Sequence, residues 1–215
     1  MQTGATAADE IADGIQAGVF YYLTKPYQEQ ALLSIVQSAL QTHEQHDLFM
    51  ENLTRQSDVI SNMTQGVFNL RTPDEAQDLA FLLGSVFPRK ELAVMGLHEL
   101  LLNAVEHGLL EIGYELKTQL LLTRKWDQEI RKRLHDDAYQ GKQITVQFQQ
   151  NADEWTITIT DPGNGFEWQN YLQIEPSRAT KPNGRGIAKA HLLAFDQLNY
   201  NLEGNVVTVT SRRHL

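Results

Sequence analysis

Apolar residues recur every three or four positions in some stretches of this chain and every second position in others, so two periods divide it into helices and strands. The central helical pattern is Glu91–Leu110, ELAVMGLHELLLNAVEHGLL, where Leu92, Met95, Leu100, Leu101, Ala104 and Val105 predict one buried face. Asp74–Phe87 is predicted helical through Leu79, Leu82, Leu83 and Val86, with Pro73 early and acids in its first turn. Gln28–His43 and Ile187–Leu198 carry the same period, and Ala7–Ala17 is helix-like and acidic. Strands are predicted at Val19–Leu23, Gly66–Thr72, Lys142–Gln149, Glu154–Thr160 and Val206–Thr210. In the fourth of these Trp155, Ile157 and Ile159 alternate with polar residues, and it forms a hairpin with the third.

Chemistry enters with the polar residues on the central helix. Glu99 and Asn103 lie four apart and project from one face, and His107 continues the row. Taken alone, the pair reads as a solvated glutamate and a tolerated asparagine. Two later stretches shift the balance. Asp161-Pro162-Gly163-Asn164-Gly165-Phe166 follows a strand, and an acid followed by two glycines suits a loop closely approached by a ligand. Asn183-Gly184-Arg185-Gly186-Ile187 opens a helical run whose first amides favour an anion. Either glycine pair alone makes an ordinary turn. The ordered set of three is far more specific.

With those motifs in order, residues 62–213 resemble the Bergerat-fold (GHKL) ATPases: ELLLNAVEHG matches the N box, DPGNGF the first glycine box and NGRGIAKAHLLAFDQL the second. The resemblance is nearest to the serine kinases that act as anti-sigma factors. It implies an α+β fold, a Bergerat-type sandwich whose mixed, mostly antiparallel sheet is covered by helices on one face. It also implies ATP and Mg²⁺ as cofactors. By that resemblance Asn103 is the metal ligand through its amide oxygen, and Glu99 is the general base near the γ-phosphate. Asp161 accepts from the adenine amino group, while Gly163 and Gly165 let the loop pass the base. Gly184 and Gly186 permit the phosphate turn, and Arg185 neutralises phosphate charge. His107 matches a family histidine, and a packed core imidazole explains it as well. Thr208 is the adenine contact expected from the last strand, with Thr210 an alternative. The polar loop Glu167–Asn183, with Pro176 and Pro182, matches the family's lid over the nucleotide.

One stretch departs from the family. Between the N box and the next strand lie roughly thirty residues, near 111–142, where Leu116, Leu120, Trp126, Ile130 and Leu134 have mostly helical spacing. They predict an inserted helix or helical pair covering one edge of the site. Arg131-Lys132-Arg133 makes its outer side basic, either a solvated face or a partner-docking surface.

Residues 1–45 resemble the last third of a response-regulator receiver. Lys25-Pro26 matches the lysine-proline pair after its final strand, and Thr3-Gly4 the end of the preceding one. The receiver's first half, with its phospho-accepting aspartate, is not in this sequence, which therefore reads as that of a truncated product; an unrelated β-α lead-in is the alternative. Residues 46–61 are expected to form a helical linker. Leu32, Val36, Ala39, Met50 and Leu53 form a broken heptad seam that suggests a homodimer contact, interrupted at His43, His46 and Asp47. His43-Glu44 is similar to a sensor-kinase phospho-acceptor, but the second helix of that hairpin is missing, so these histidines read as solvated.

Composition narrows the classes. With 215 residues, 41% of them hydrophobic, the chain can bury a real core. A formal charge of −9 with interspersed signs argues against a nucleic-acid surface. There is no cysteine, so no disulfide framework and no thiol catalysis, which fits a cytoplasmic protein. No signal-like opening and no membrane-length apolar run is seen. Two functions follow from the resemblance. One is a serine/threonine kinase that phosphorylates an anti-anti-sigma (STAS-like) partner and sequesters a sigma factor in a response-regulator-linked pathway. The other is a nucleotide-dependent binding module, or a histidine-kinase-like ATPase output domain, without its own hydroxyl substrate. Glu99 favours the first, because a pure binder has no need of a base.

Overall fold

The computed structural model describes residues 2–3, 23–24, 60, 62–172 and 186–213. The chain divides into two compact units, 1–56 with 174–181 and 57–173 with 182–215. In the first, β1 (Gln2–Thr3) pairs in parallel with β2 (Leu23–Thr24), Gln2 opposite Leu23 and Thr3 opposite Thr24. The helices expected at Ala7–Ala17 and Gln28–His43, Lys25, most of the linker and the heptad seam lie outside the described residues, as does the lid from residue 173 to 183.

The second unit is an α+β fold. Its sheet runs β3 (Gln65–Leu70), β4 (Ile144–Gln150), β5 (Glu154–Thr160), β7 (Val206–Arg212), β6 (Gln197–Tyr200), each strand antiparallel to its neighbour. All four pairings in this sheet are antiparallel, where a mixed, mostly antiparallel sheet was expected. One reason lies in Gln197–Tyr200. The predicted helix Ile187–Leu198 is only α5 (Gly186–Lys189) and a π-helical turn, Ala190–Ala194. Phe195 then turns extended, and Gln197–Tyr200 pair with β7 as an edge hairpin. Asn201 shapes its turn: its side-chain oxygen accepts the backbone N–H groups of Gly204, Asn205 and Val206 at 2.8 to 3.1 Å.

Strand alternation gives the sheet two unlike faces. Leu70, Ile144, Val146, Phe148, Ile157, Ile159, Leu198, Val207 and Val209 are buried on one face, beneath the helices. Thr158, Asn199 and Thr208 are on the other, and the Thr158 and Thr208 hydroxyls bond each other at 3.1 Å.

The first covering helix is α1 (Pro73–Gly84), fixed at its start by a capping box in which Thr72 and Glu75 satisfy each other's backbone N–H. Burial pushes the Glu75 carboxyl up, but N–H groups of Arg71 and Thr72 outweigh it and hold the pKa below the ordinary value. The second is α2 (Lys90–Asn103), continued by a π-helical turn, Ala104–Leu109. Its buried stripe differs from the expected one: Ala93, Val94, Gly96, Leu97, Leu100 and Leu101 are covered, while Met95 is exposed. The reason is that α2 touches neighbours on several sides. A Cβ at Gly84 of α1 would come within 2.5 Å of Val94, and one at Gly96 within 2.5 Å of Ala194.

The inserted stretch forms a helical pair, α3 (Tyr114–Leu122) and α4 (Trp126–Leu134). Leu120 and Ile130 are buried, and Leu116, Trp126 and Leu134 pack on the core. Arg133 is not on a solvated outer face. It donates to the carbonyls of Leu110 and Glu111 at 2.7 and 3.1 Å, closing the end of the π-helical turn, and pairs with Glu129.

Candidate functional site

One row of side chains on α2 faces a cavity of about 590 Å³. Glu99, Asn103 and His107 all line it, as the four-residue spacing predicts. Across it, the loop after β5 contributes Asp161 and Gly165, and the start of α5 contributes Gly186. Residues 62 positions apart in sequence, Glu99 and Asp161, therefore share one enclosure.

Two contacts hold these segments at close range. A Cβ on Gly186 would lie 2.0 Å from a Glu99 carboxylate oxygen, and a Cβ on Gly108 would lie 2.3 Å from the Asp161 carboxyl. Gly163 fits against the backbone of Gly108 in the same way, its Cβ position 2.8 Å from the Gly108 carbonyl oxygen. Gly165 has φ +78, and a Cβ there would meet the Glu203 carbonyl at 1.8 Å, so only glycine serves. The β6–β7 turn braces this loop: Asn205 accepts from Asp161 N–H at 3.0 Å, and Glu203 accepts from Phe166 N–H at 3.0 Å.

Burial governs the titration of the site. Asp161 loses water on folding, which raises its carboxyl from 3.8 to about 6 against the lowering effect of the Gly163 N–H it accepts at 2.9 Å. Tyr200, also on the cavity wall, is pushed well above an ordinary phenol, first by burial and then by the Asp161 charge. His107 is held below the usual imidazole value by burial. Its Nδ1 bonds the carbonyl of Ile112; that carbonyl can only accept, so Nδ1 carries the proton and Nε2 is an acceptor. Both readings of His107 thus have a basis, since it is packed and also lines the cavity.

Thr208 is a correction. It points to the sheet face away from the helices, bonded to Thr158, and Val207 lines the cavity in its place. Thr210 shares its face, two residues along the strand. Gly163 is not among the cavity-lining residues and acts instead through its N–H to Asp161. Gly184 and Arg185 lie outside the described residues.

Other contributors escaped the sequence reading. Tyr200 stands edge-on to Phe166, with ring centres 5.4 Å apart, and Tyr171 meets Phe166 at 5.5 Å; all three line the cavity. An alternating run, Gln197–Tyr200, followed by Asn201 and Gly204 is a hairpin signal that would have exposed Tyr200. Glu111 and Lys117, from the insertion, also line the wall. Glu111 has φ +55, an uncommon value for a non-glycine residue, and is tied down by Lys142 at 2.8 Å.

No family model matches the chain. No curated protein matches it either. No described helix is long and apolar enough to cross a membrane.

Proposed function

We propose that this cavity binds Mg²⁺-ATP in a Bergerat-type fold, and that the chain is a serine/threonine protein kinase of the anti-sigma-factor type. Its substrate would be an anti-anti-sigma (STAS-like) protein in a response-regulator-linked, partner-switching pathway. The observation that carries the reading is the shared enclosure of Glu99, Asn103 and Asp161, separated in sequence and lining one cavity with Gly165 and Gly186.

The residues suit the ligand. Asp161 offers a carboxylate oxygen to an exocyclic amine, and Phe166, Tyr171 and Tyr200 supply the apolar wall a purine prefers. At the other end Asn103 offers an amide oxygen, a hard donor of the kind Mg²⁺ accepts, and the metal takes few protein ligands. Among the described residues there is no group of three or more His, Cys, Asp or Glu placed to hold a metal ion. Bound Mg²⁺ would offset the charge of the phosphates. Glu99, one turn before Asn103, would take a proton from an incoming hydroxyl.

The test uses the full chain, Mg²⁺-ATP and candidate STAS-like domains. Phosphoserine or phosphothreonine should appear on a partner. Glu99→Gln should lower transfer roughly 10²- to 10⁴-fold while ATP affinity changes little. Transfer that survives the substitution removes Glu99 as the base. ATP binding with no transfer to any partner favours the binding-module reading, and absence of ATP binding removes both.

A further inference from the structure

The insertion brings a charge to the cavity through a buried anchor. Glu106, in the π-helical turn, is fully buried. One of its carboxylate oxygens pairs with the Lys117 ammonium of α3, and the other accepts the Trp126 indole N–H of α4 at 2.6 Å. The helical pair is thus fastened to the N-box helix at two points by one carboxylate. Lys117 is nearly buried, its side chain 14% exposed, and still lines the cavity. An ammonium has three N–H donors. Glu106 takes one, leaving two for the cavity.

The rest of the wall needs such a cation. Glu99, Glu111 and Asp161 bring carboxylates, whereas the described lysines lining it are Lys117 and Lys189. Lys117 meets Glu106, three residues beyond Asn103, so its ammonium enters the wall beside the residue read here as the metal ligand.

We propose that Lys117 binds the phosphate tail of the ligand, and that Glu106, held by Trp126, is the positioning residue that aims it. The inference rests on the nucleotide reading above and adds a residue to it from the insertion. Glu106 compensates the ammonium enough to hold it still and leaves donors to spare. An incoming polyphosphate meets a cation already oriented by Glu106.

The experiment is calorimetric titration of the full chain with ATP and with adenosine, each in magnesium. Lys117→Met alone would strand a buried carboxylate, so the double variant Glu106→Gln/Lys117→Met, which removes both charges, is measured beside it and beside Lys117→Arg. Both Met-containing variants should lose roughly ten- to a hundredfold in ATP affinity and keep adenosine affinity, and Lys117→Arg should recover much of the ATP loss. Wild-type ATP affinity should fall with added salt more steeply than that of the double variant. Equal losses for ATP and adenosine, or no loss in the double variant, overturn the assignment while nucleotide binding stands. Wild-type protein that takes up neither ligand overturns the nucleotide reading and this inference with it.

Discussion

Asp161→Asn should make the protein more stable and a worse binder, because the same carboxyl is costly in the fold and useful in the site. Burial raises its pKa from 3.8 to about 6. A folded-state value above the unfolded one means that stability is fully present below about pH 3.8 and is lost as pH rises through about 6. At about 1.4 kcal/mol per unit, the shift caps the cost of the charge at roughly 3 kcal/mol. Solvent screening of the half-buried group reduces that to about 1–2 kcal/mol. Asparagine does not ionise, so at neutral pH the variant should gain that amount, a rise in Tm on the order of 4 °C. Urea denaturation across the interval should show the gain shrinking as pH falls through about 6 and vanishing near 4.

Binding should move the other way. The Gly163 N–H donates to Asp161 Oδ1 at 2.9 Å. In the variant the amide oxygen keeps that bond, which turns the amide NH₂ toward the cavity, where an adenine amino group is itself a donor. Losing a charge-assisted bond and setting donor against donor should weaken ATP roughly ten- to a hundredfold. Wild-type affinity should also decline as pH drops below about 6, because a protonated carboxyl accepts poorly. A variant less stable than wild type at neutral pH would refute the burial argument. Unchanged ATP affinity would show that Asp161 does not touch the base.

Gly186→Ala puts a methyl group 2.0 Å from the Glu99 carboxylate; displacement of that side chain should cut phosphotransfer at least tenfold while circular dichroism is unchanged. Thr72→Ala removes one half of the α1 capping box and should cost about 1 kcal/mol in chemical denaturation, with ATP affinity intact. Arg133→Met leaves the Leu110 and Glu111 carbonyls without their shared donor. It should cost about 1–3 kcal/mol and admit limited proteolysis between residues 110 and 140 before the sheet is cut.

What the sequence revealed and what it hid follow from the range of the interactions. The Glu99–Asn103–His107 row was legible because a helix carries residues four apart onto one face whatever surrounds it. The hairpin β4–β5 was legible because alternation is local. The buried stripe of α2 was misjudged at Met95 and Val94, since which side is covered depends on Gly84 and Ala194, elements distant in sequence. Glu106 shows the same limit more sharply. At 100° per residue it stands half a turn from Leu97, on the side that periodicity assigns to water. It is fully buried because Lys117 and Trp126, 11 and 20 residues on, cover that side. Thr208 was misplaced by one position because a strand with apolar residues at 206, 207 and 209 does not announce its inner face, and only the pairing with β5 and β6 decides it.

The glycines explain how separated segments meet at this row. Close approach of a loop to a helix requires that a side chain be missing on at least one partner. Here Gly186 admits the Glu99 side chain, and Gly108 with Gly163 admits the Asp161 carboxyl. The two contacts are nine residues apart on the helix, about 13 Å along its axis. At one end α5 comes close against the Glu99 side chain, and at the other the Asp161 carboxyl comes close against Gly108, each where a Cβ is missing. The interval between them is lined by Asn103 and His107. An elongated ligand with an amino-bearing ring at one end and an anionic tail at the other fits such a slot in one direction, because the carboxyl of Asp161 repels the tail while Lys117 attracts it. Replacing either glycine should therefore change where the ligand lies before it changes whether the protein folds.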